Sequence, residues 1–326
     1  MNVLRCSVVF AAVAGICSGQ APDFYKKISR VTWVIKSLDR PLQGWSRLGL
    51  SDVQEFGDLA FTGEYRGKAM AGGARVATGH LGGVNVDFVQ PAPGASAFAD
   101  FLARRGDGVF SIVHEVGNAV ELTKETARLQ GLGVEVLQRL SVDTDSGPAT
   151  FTYFDTEARG KYVLGLVYWP GGAPPAGTPG QVSHIAFVAR ELAPVSAYWE
   201  KLGFPPVSAA HAGPREDSRY HGKPLWLSFD VGWDGHTQPG AEWIVPPQAP
   251  PNCYNDFLQA HGEGVHHLGV PVDDLEKAVA EYGKLGYSVL QSGAWGESGK
   301  KNSGRYAYMD TDAIGGVIVE LIRAIK

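Results

Sequence analysis

The sequence predicts an α+β protein made of four strand–helix–strand–strand–strand units, paired two by two into cupped mixed sheets. Three observations predict it. First, residues 84–167 and 241–322 are versions of one sequence: Phe101-Leu102 and Gly106-Asp107-Gly108-Val109-Phe110-Ser111 match Phe257-Leu258 and Gly262-Glu263-Gly264-Val265-His266-His267 at an offset of 156. Tyr153-Phe154-Asp155-Thr156 and Gly165 match Tyr308-Met309-Asp310-Thr311 and Glu320 at an offset of 155. Second, an apolar strand, a helix closed by glycine and several short strands recur in that order. Third, the Gly/Pro segment 171–180 can enter neither a helix nor a central strand and divides the chain as a linker.

Along the chain, Arg5, the apolar run Val8–Ile16 and small residues up to Ala21 have the order of a secretory signal peptide, so residues 1–21 predict export, with a lipid anchor at Cys17 a weaker alternative. Residues 24–170 form the first half, with elements at 31–50, 84–91, 108–133 and 150–168; the glycine-rich stretch 51–80 shows no strand pattern. Residues 181–326 form the second half. There, strand Val182–Val188 precedes a helix from Pro194 to Leu202 stopped by Gly203, then strands Leu225–Asp230 and Ala241–Val245. Strand Val265–Val272 follows, with Asp273-Asp274 as N-cap, helix Leu275–Leu285, Gly286, and strands Ala307–Met309 and Gly316–Ile322.

The 326 residues are 44% hydrophobic and 19% charged, enough apolar material for two cores. A net charge of −5 with scattered Lys and Arg argues against nucleic acid, and no run reaches the ~20 apolar residues of a membrane span. Loss of residues 1–21 would leave Cys253 alone, unable to form an internal disulfide.

Four residues of the second half share one situation. His184 and His267 lie in the opening strands of their units, Glu242 and Glu320 in the closing strands, so a pseudo-twofold pairing brings two imidazoles and two carboxylates to one point. Such mixed N/O donors suit one divalent ion (Zn, Mn, Fe, Co or Ni), with two octahedral positions free for neighbouring substrate oxygens. Strand alternation points His266 to the opposite face from His267. His211, His221, His236 and His261 read as surface groups. Lys301, Arg305 and Tyr306 are either a solvated loop or a clamp for an anionic substrate. Trp226, Trp233 and Trp243 read as core, and Asp310-Thr311, repeated as Asp155-Thr156, as turn chemistry.

The segments Ser183-His184-Ile185-Ala186-Phe187-Val188, Glu242-Trp243-Ile244-Val245-Pro246, Gly264–Val270 and Gly315–Leu321 resemble the vicinal oxygen chelate superfamily of glyoxalases, epimerases and extradiol dioxygenases. The methylmalonyl-CoA epimerase-like branch is nearest in look, through Asp256–His267. The resemblance implies two glyoxalase-like domains, with His184, Glu242, His267 and Glu320 as metal ligands. The first half offers only Asp87, Ser111 and Gly165 at matching positions, so it is expected to hold no metal. The implied function is a divalent-metal-dependent isomerase or lyase acting on a small carbonyl compound with vicinal oxygens through a metal-stabilised enolate, with Glu320 or Glu242 as base. One alternative is an Fe(II) extradiol dioxygenase using His184, His267 and Glu320; another is a non-catalytic periplasmic protein that sequesters its ligand. A monomer or a homodimer is expected.

Overall fold

The computed structural model describes residues 19–172 and 182–325. Most of the expected signal segment and of the linker therefore lies outside the described residues. The first unit comprises β1 (Arg30–Val34), α1 (Asp39–Arg47), β2 (Leu50–Tyr65), β3 (Lys68–Leu81) and β4 (Val84–Pro91). The second opens with α2 (Ala97–Arg105) and continues through β5 (Gly108–Val116), α3 (Ala119–Gly131), β6 (Val136–Val142), β7 (Ala149–Phe154), the short α4 (Glu157–Gly160) and β8 (Val163–Tyr168).

The third unit has β9 (His184–Val188), α5 (Ala193–Lys201), β10 (Ser208–Ala212), the small hairpin β11 (Arg219–Tyr220) and β12 (Lys223–Pro224), β13 (Phe229–Asp234) and β14 (Gly240–Val245). The fourth has α6 (Cys253–Ala260), β15 (Gly264–Pro271), α7 (Leu275–Lys284), β16 (Val289–Trp295), β17 (Ser303–Met309) and β18 (Ile318–Ile325). Helix starts follow local chemistry: Ser96, Asn118, Asn252 and Asp274 each accept a hydrogen bond from the backbone N–H three residues on.

The first two units close into a barrel, β1-β4-β3-β2-β6-β7-β8-β5; the last two form an open ten-stranded sheet, β10-β13-β14-β9-β15-β18-β17-β16-β11-β12. In both, strand pairing is mixed, with parallel pairs β1/β4, β5/β8, β9/β14 and β15/β18. Two sequence assignments are corrected. Residues 51–80 form the long hairpin β2/β3, whose first strand is exposed over most of its length, so no apolar alternation marks it. Its glycines are used: at Gly63 (φ +158°) a Cβ would lie 1.9 Å from the Arg139 carbonyl oxygen. The strand expected at Leu225–Asp230 begins only at Phe229, and Leu225 and Leu227 are buried outside any strand.

Period-two alternation gives each sheet two apolar faces. Trp33, Val86 and Ile112 from the barrel and Ile185, Phe187, Trp243, Val319 and Leu321 from the open sheet belong to one continuous core between the halves. Hydrogen bonds cross it from Trp45 Nε1 to Ile314 O (2.9 Å), Arg128 to Leu202 O (2.8 Å) and Arg105 to His261 O (2.7 Å). The opposite faces fill the barrel with Phe98, Phe110, Phe151 and Tyr153 and line the cup with Tyr254, Tyr308, Ile244 and Ile318. Among the described residues, no helix is long and apolar enough to cross a membrane.

Candidate metal centre

The cup faces of β9, β14, β15 and β18 each present one ligand-type side chain. β9 pairs with β15 so that His184 opposes Gly269 and Ala186 opposes His267. Parallel pairing sets Glu320 beside Gly269 and Glu242 beside Ala186. A glycine at 269 is required here: a Cβ would sit 2.2 Å from the His184 ring.

His184 Nε2, His267 Nε2 and Glu320 Oε2 form a nearly equilateral triangle with edges of 3.2, 3.1 and 3.2 Å. Adjacent donors of an octahedron with bonds of about 2.2 Å lie about 3.1 Å apart, so these three match one face of a divalent-metal octahedron. Glu242 Oε2 stands farther out, 3.5 Å from His184 Nε2 and 3.6 Å from His267 Nε2. All four residues are buried, and among the described residues His184, His267 and Glu320 form a group that could hold a divalent ion, whose charge would offset the cost of burying the carboxylates.

The electrostatics carry the same signature. Burial disfavours a charged His267, but the carboxylates of Glu320 and Glu242 outweigh it and lift the imidazole to about 9. Burial would raise Glu320, yet His267 and His184 hold it well below the usual carboxylate range.

The support around His267 was not legible as alternation. A β-bulge lies between Val265 and His267, so His266 does not turn to the opposite face as the sequence suggested. It is fully buried, packed on Tyr254, Phe257 and Tyr308, and its Nδ1 lies 2.8 Å from His267 Nδ1. A His267 that coordinates through Nε2 carries its proton on Nδ1 and donates it to His266. Burial holds His266 far below the usual imidazole range, so it stays the neutral acceptor. Tyr308, which stacks obliquely on His267 at 4.9 Å, and Trp233, edge-on to His184 at 5.2 Å, complete the surroundings.

Other sequence assignments are redistributed. Arg305 is paired with Glu276 of α7, on the outer side of the sheet, and Lys301 is exposed in the turn before β17; neither faces the metal cluster. Tyr306 does, half-buried with its ring 5.1 Å from that of Tyr308. Trp226 and Trp233 are exposed rather than core, whereas Trp243 is buried. His261 is not a free surface group: its Nε2 meets Asp312 at 2.8 Å and its Nδ1 lies 3.2 Å from the Arg105 carbonyl oxygen. Thr311 Oγ1 donates to Val317 O and Thr156 Oγ1 to Tyr162 O, the same turn device twice.

The barrel holds the equivalent positions in the same register. Arg30 opposes Val113 and Thr32 opposes Ser111, while Asp87 lies beside Thr32 and Gly165 beside Val113. The position of His184 is thus Arg30, which the sequence reading passed over by starting that strand at Val31. Arg30 forms a buried ion pair with Asp87 and lies over the Trp169 ring. Among the described residues the barrel has no metal-ligand group at these positions: a guanidinium stands where the second half has His184.

No curated protein matches this sequence. Residues 183–308 match the family described as Glyoxalase/Bleomycin resistance protein/Dioxygenase superfamily. Among solved structures, a mutant of 4-hydroxymandelate synthase from Streptomyces coelicolor is similar over 92% of this chain and 92% of its own, at 17% identity and TM-score 0.62. A catechol 2,3-dioxygenase covers 93% and 89% at 11% identity and TM-score 0.46. The first of these shares the fold of both halves. The second half of this chain, with its four convergent ligand-type residues, thus carries the match to the Glyoxalase/Bleomycin resistance protein/Dioxygenase superfamily and has the vicinal oxygen chelate fold.

Proposed function

We propose that the protein is a divalent-metal-dependent enzyme acting on a small carbonyl compound with two neighbouring oxygens, by proton transfer at the carbon beside the carbonyl. His184, His267 and Glu320 would hold the ion, which would supply Lewis-acid polarisation of the substrate oxygens. The observation that carries this reading is the second buried carboxylate. Glu242 is 8% exposed and stands 0.4 Å farther from each histidine nitrogen than Glu320 does (3.5 against 3.1 Å for His184, 3.6 against 3.2 Å for His267), so it is the carboxylate freer to exchange a proton with substrate. His266 fixes the tautomer of His267, and Leu225, Leu227, Tyr254 and Tyr308 keep water from that side of the cup.

The test combines metal reconstitution with solvent deuterium exchange into a panel of α-hydroxy- and α-oxo-carbonyl compounds. Glu242→Gln is expected to retain about one ion per chain and to slow exchange by roughly 10²–10⁴-fold. His267→Ala is expected to lose ion and exchange together. Exchange unchanged in Glu242→Gln, with the metal bound, refutes Glu242 as base and moves the role to Glu320.

A second reading has its own support. The triangle of His184, His267 and Glu320 is also a two-histidine, one-carboxylate facial set, the kind used by Fe(II) oxygenases. Oxygen consumption by the anaerobically iron-loaded protein with a catechol panel, absent with Zn, would favour it over proton transfer. Export of the protein is part of the proposal too, motivated by the positive, apolar and small-residue order of residues 1–21. N-terminal sequencing of protein from its native host should begin near Gln20 or Pro22, and a start at Met1 refutes export.

A further inference from the structure

The duplication that gives the halves one register also repeats an ion pair where they meet. In the first half Arg105, at the end of α2, has its Nε 2.6 Å from Glu157 Oε1 of α4. At the same offsets, 156 and 155, the second half has His261 after α6 and Asp312 in the turn Asp312–Ile314. There His261 Nε2 lies 2.8 Å from Asp312 Oδ1. The two equivalent residues are also joined to each other: an Arg105 guanidinium N–H donates to His261 O at 2.7 Å, and His261 Nδ1 lies 3.2 Å from Arg105 O. The arginine pair is permanently charged, because a guanidinium holds its proton up to pH ~12. Its twin is built on an imidazole.

Each ring nitrogen of His261 faces an acceptor, a carboxylate oxygen on one side and a carbonyl oxygen on the other. Both contacts are hydrogen bonds only when both nitrogens bear protons; the neutral ring has one proton and turns a lone pair on one acceptor. The surrounding charges are mixed. Asp312 outweighs burial and the Arg105 guanidinium and raises His261 above the ordinary imidazole value. Asp107, on the turn after α2, is a second nearby carboxylate and accepts from Lys36 N at 2.7 Å. Glu157 is held by Arg104 and Arg105, and Lys161 by Glu263 at 2.9 Å. On the side of α6 and β15, His261 meets the Phe257 ring at 4.9 Å, and His266 is held neutral.

We propose that His261 is a proton-dependent staple of the junction between the halves. Protonated, it ties the end of α2, the turn between α6 and β15, and the Asp312 turn together. Deprotonated, it releases either the Arg105 carbonyl or the Asp312 carboxylate, while Arg105 and Glu157 stay paired. The Asp312 turn is itself seated in the barrel half, where Trp45 Nε1 donates to Ile314 O at 2.9 Å and Trp33 Nε1 to Gly315 O at 2.5 Å. That turn leads into β18 and His261 leads into β15, so the staple sits at the entrance to two strands of the cup. The sign follows from the raised value. The staple contributes fully below the unfolded imidazole value near 6.5, and its contribution is lost as pH rises through the higher folded value. None of this depends on the reaction at the metal cluster.

The experiment pairs a proton NMR titration of the histidine rings of the full-length protein with urea unfolding at about pH 5.5 and about pH 9. One ring resonance, absent in His261→Gln, is expected to titrate above about 6.5 and to titrate lower in Asp312→Asn. His261→Gln should lower the folding equilibrium constant roughly 10–100-fold at the lower pH and less than about threefold at the higher, since the charged hydrogen bonds exist only at the lower. His267 titrates in both proteins, so its contribution cancels in that ratio. Glu157→Gln, in the arginine twin, should cost the same at both pH values. A His261 ring that titrates at or below about 6.5 overturns the proposal. So does a His261→Gln penalty equal at the two pH values, which makes the residue mere packing; should that variant fail to fold, the same comparison on Asp312→Asn decides.

Discussion

The barrel and the cup share one strand register and put opposite chemistry at its centre. Four equivalent positions read Arg30, Asp87, Ser111 and Gly165 in one half and His184, Glu242, His267 and Glu320 in the other. In the barrel a covalently attached cation neutralises the single remaining carboxylate. In the cup two carboxylates face two imidazoles, and the charge must come from an exchangeable ion or a proton. A buried carboxylate needs a partner, and in the barrel the arginine at the position of His184 provides it for Asp87.

The sharpest way to break this comparison is to transplant the barrel's solution. His184→Arg should place a fixed cation between Glu242 and Glu320, lowering divalent-metal affinity by at least about 10³-fold while the fold persists, as metal analysis beside circular dichroism would show. The reciprocal change tests the barrel: Arg30→Met leaves Asp87 buried and unpaired and should cost about 3–5 kcal/mol in chemical denaturation with metal content unchanged. Metal loss in Arg30→Met would show that the halves are not electrostatically separate.

A third, smaller effect concerns protons. With His267 lifted to about 9, metal binding below that pH must expel its proton, so affinity should rise about tenfold per pH unit from pH 6.5 upward and level off near 9. The sign for stability is opposite in the metal-free protein. The raised value means that protonation stabilises the fold fully below the unfolded imidazole value near 6.5, and the benefit is lost as pH rises through about 9. Melting temperature of the metal-free protein should fall over that window and that of the metal-loaded protein less so. The smallest effect is steric: at Gly165 a Cβ would lie 2.7 Å from Ser111 Oγ and 2.8 Å from Val113 Cγ2, so Gly165→Ala should cost about 1–3 kcal/mol. A neutral Gly165→Ala would show that a carboxylate could be restored there.

What the sequence made legible was whatever burial imposes as a period. The ligand-type residues of the open sheet stand on strands whose alternating neighbours (Ile185, Phe187, Trp243, Val319) are apolar, so their places follow from a period of two. Features without that imprint were not legible. β2 is too exposed to alternate, and His266 sits at a bulge that shifts the period by one residue. Arg30 hid because a cation at a strand's start looks like a boundary, although it is 4% exposed. The orientation of Arg305 depends on Glu276, 29 residues away on another element, and no local pattern reports such a partner.

The continuous core between the halves bears on how the chain comes apart. Neither sheet can release the other without exposing Trp33, Phe187, Trp243 and their neighbours to water together. Unfolding should then be a single cooperative event whose denaturant slope corresponds to the whole chain and not to half of it. For the half with the His184, His267 and Glu320 cluster this makes the barrel a permanent lid on an otherwise wet apolar surface, a structural reason for the two to stay together.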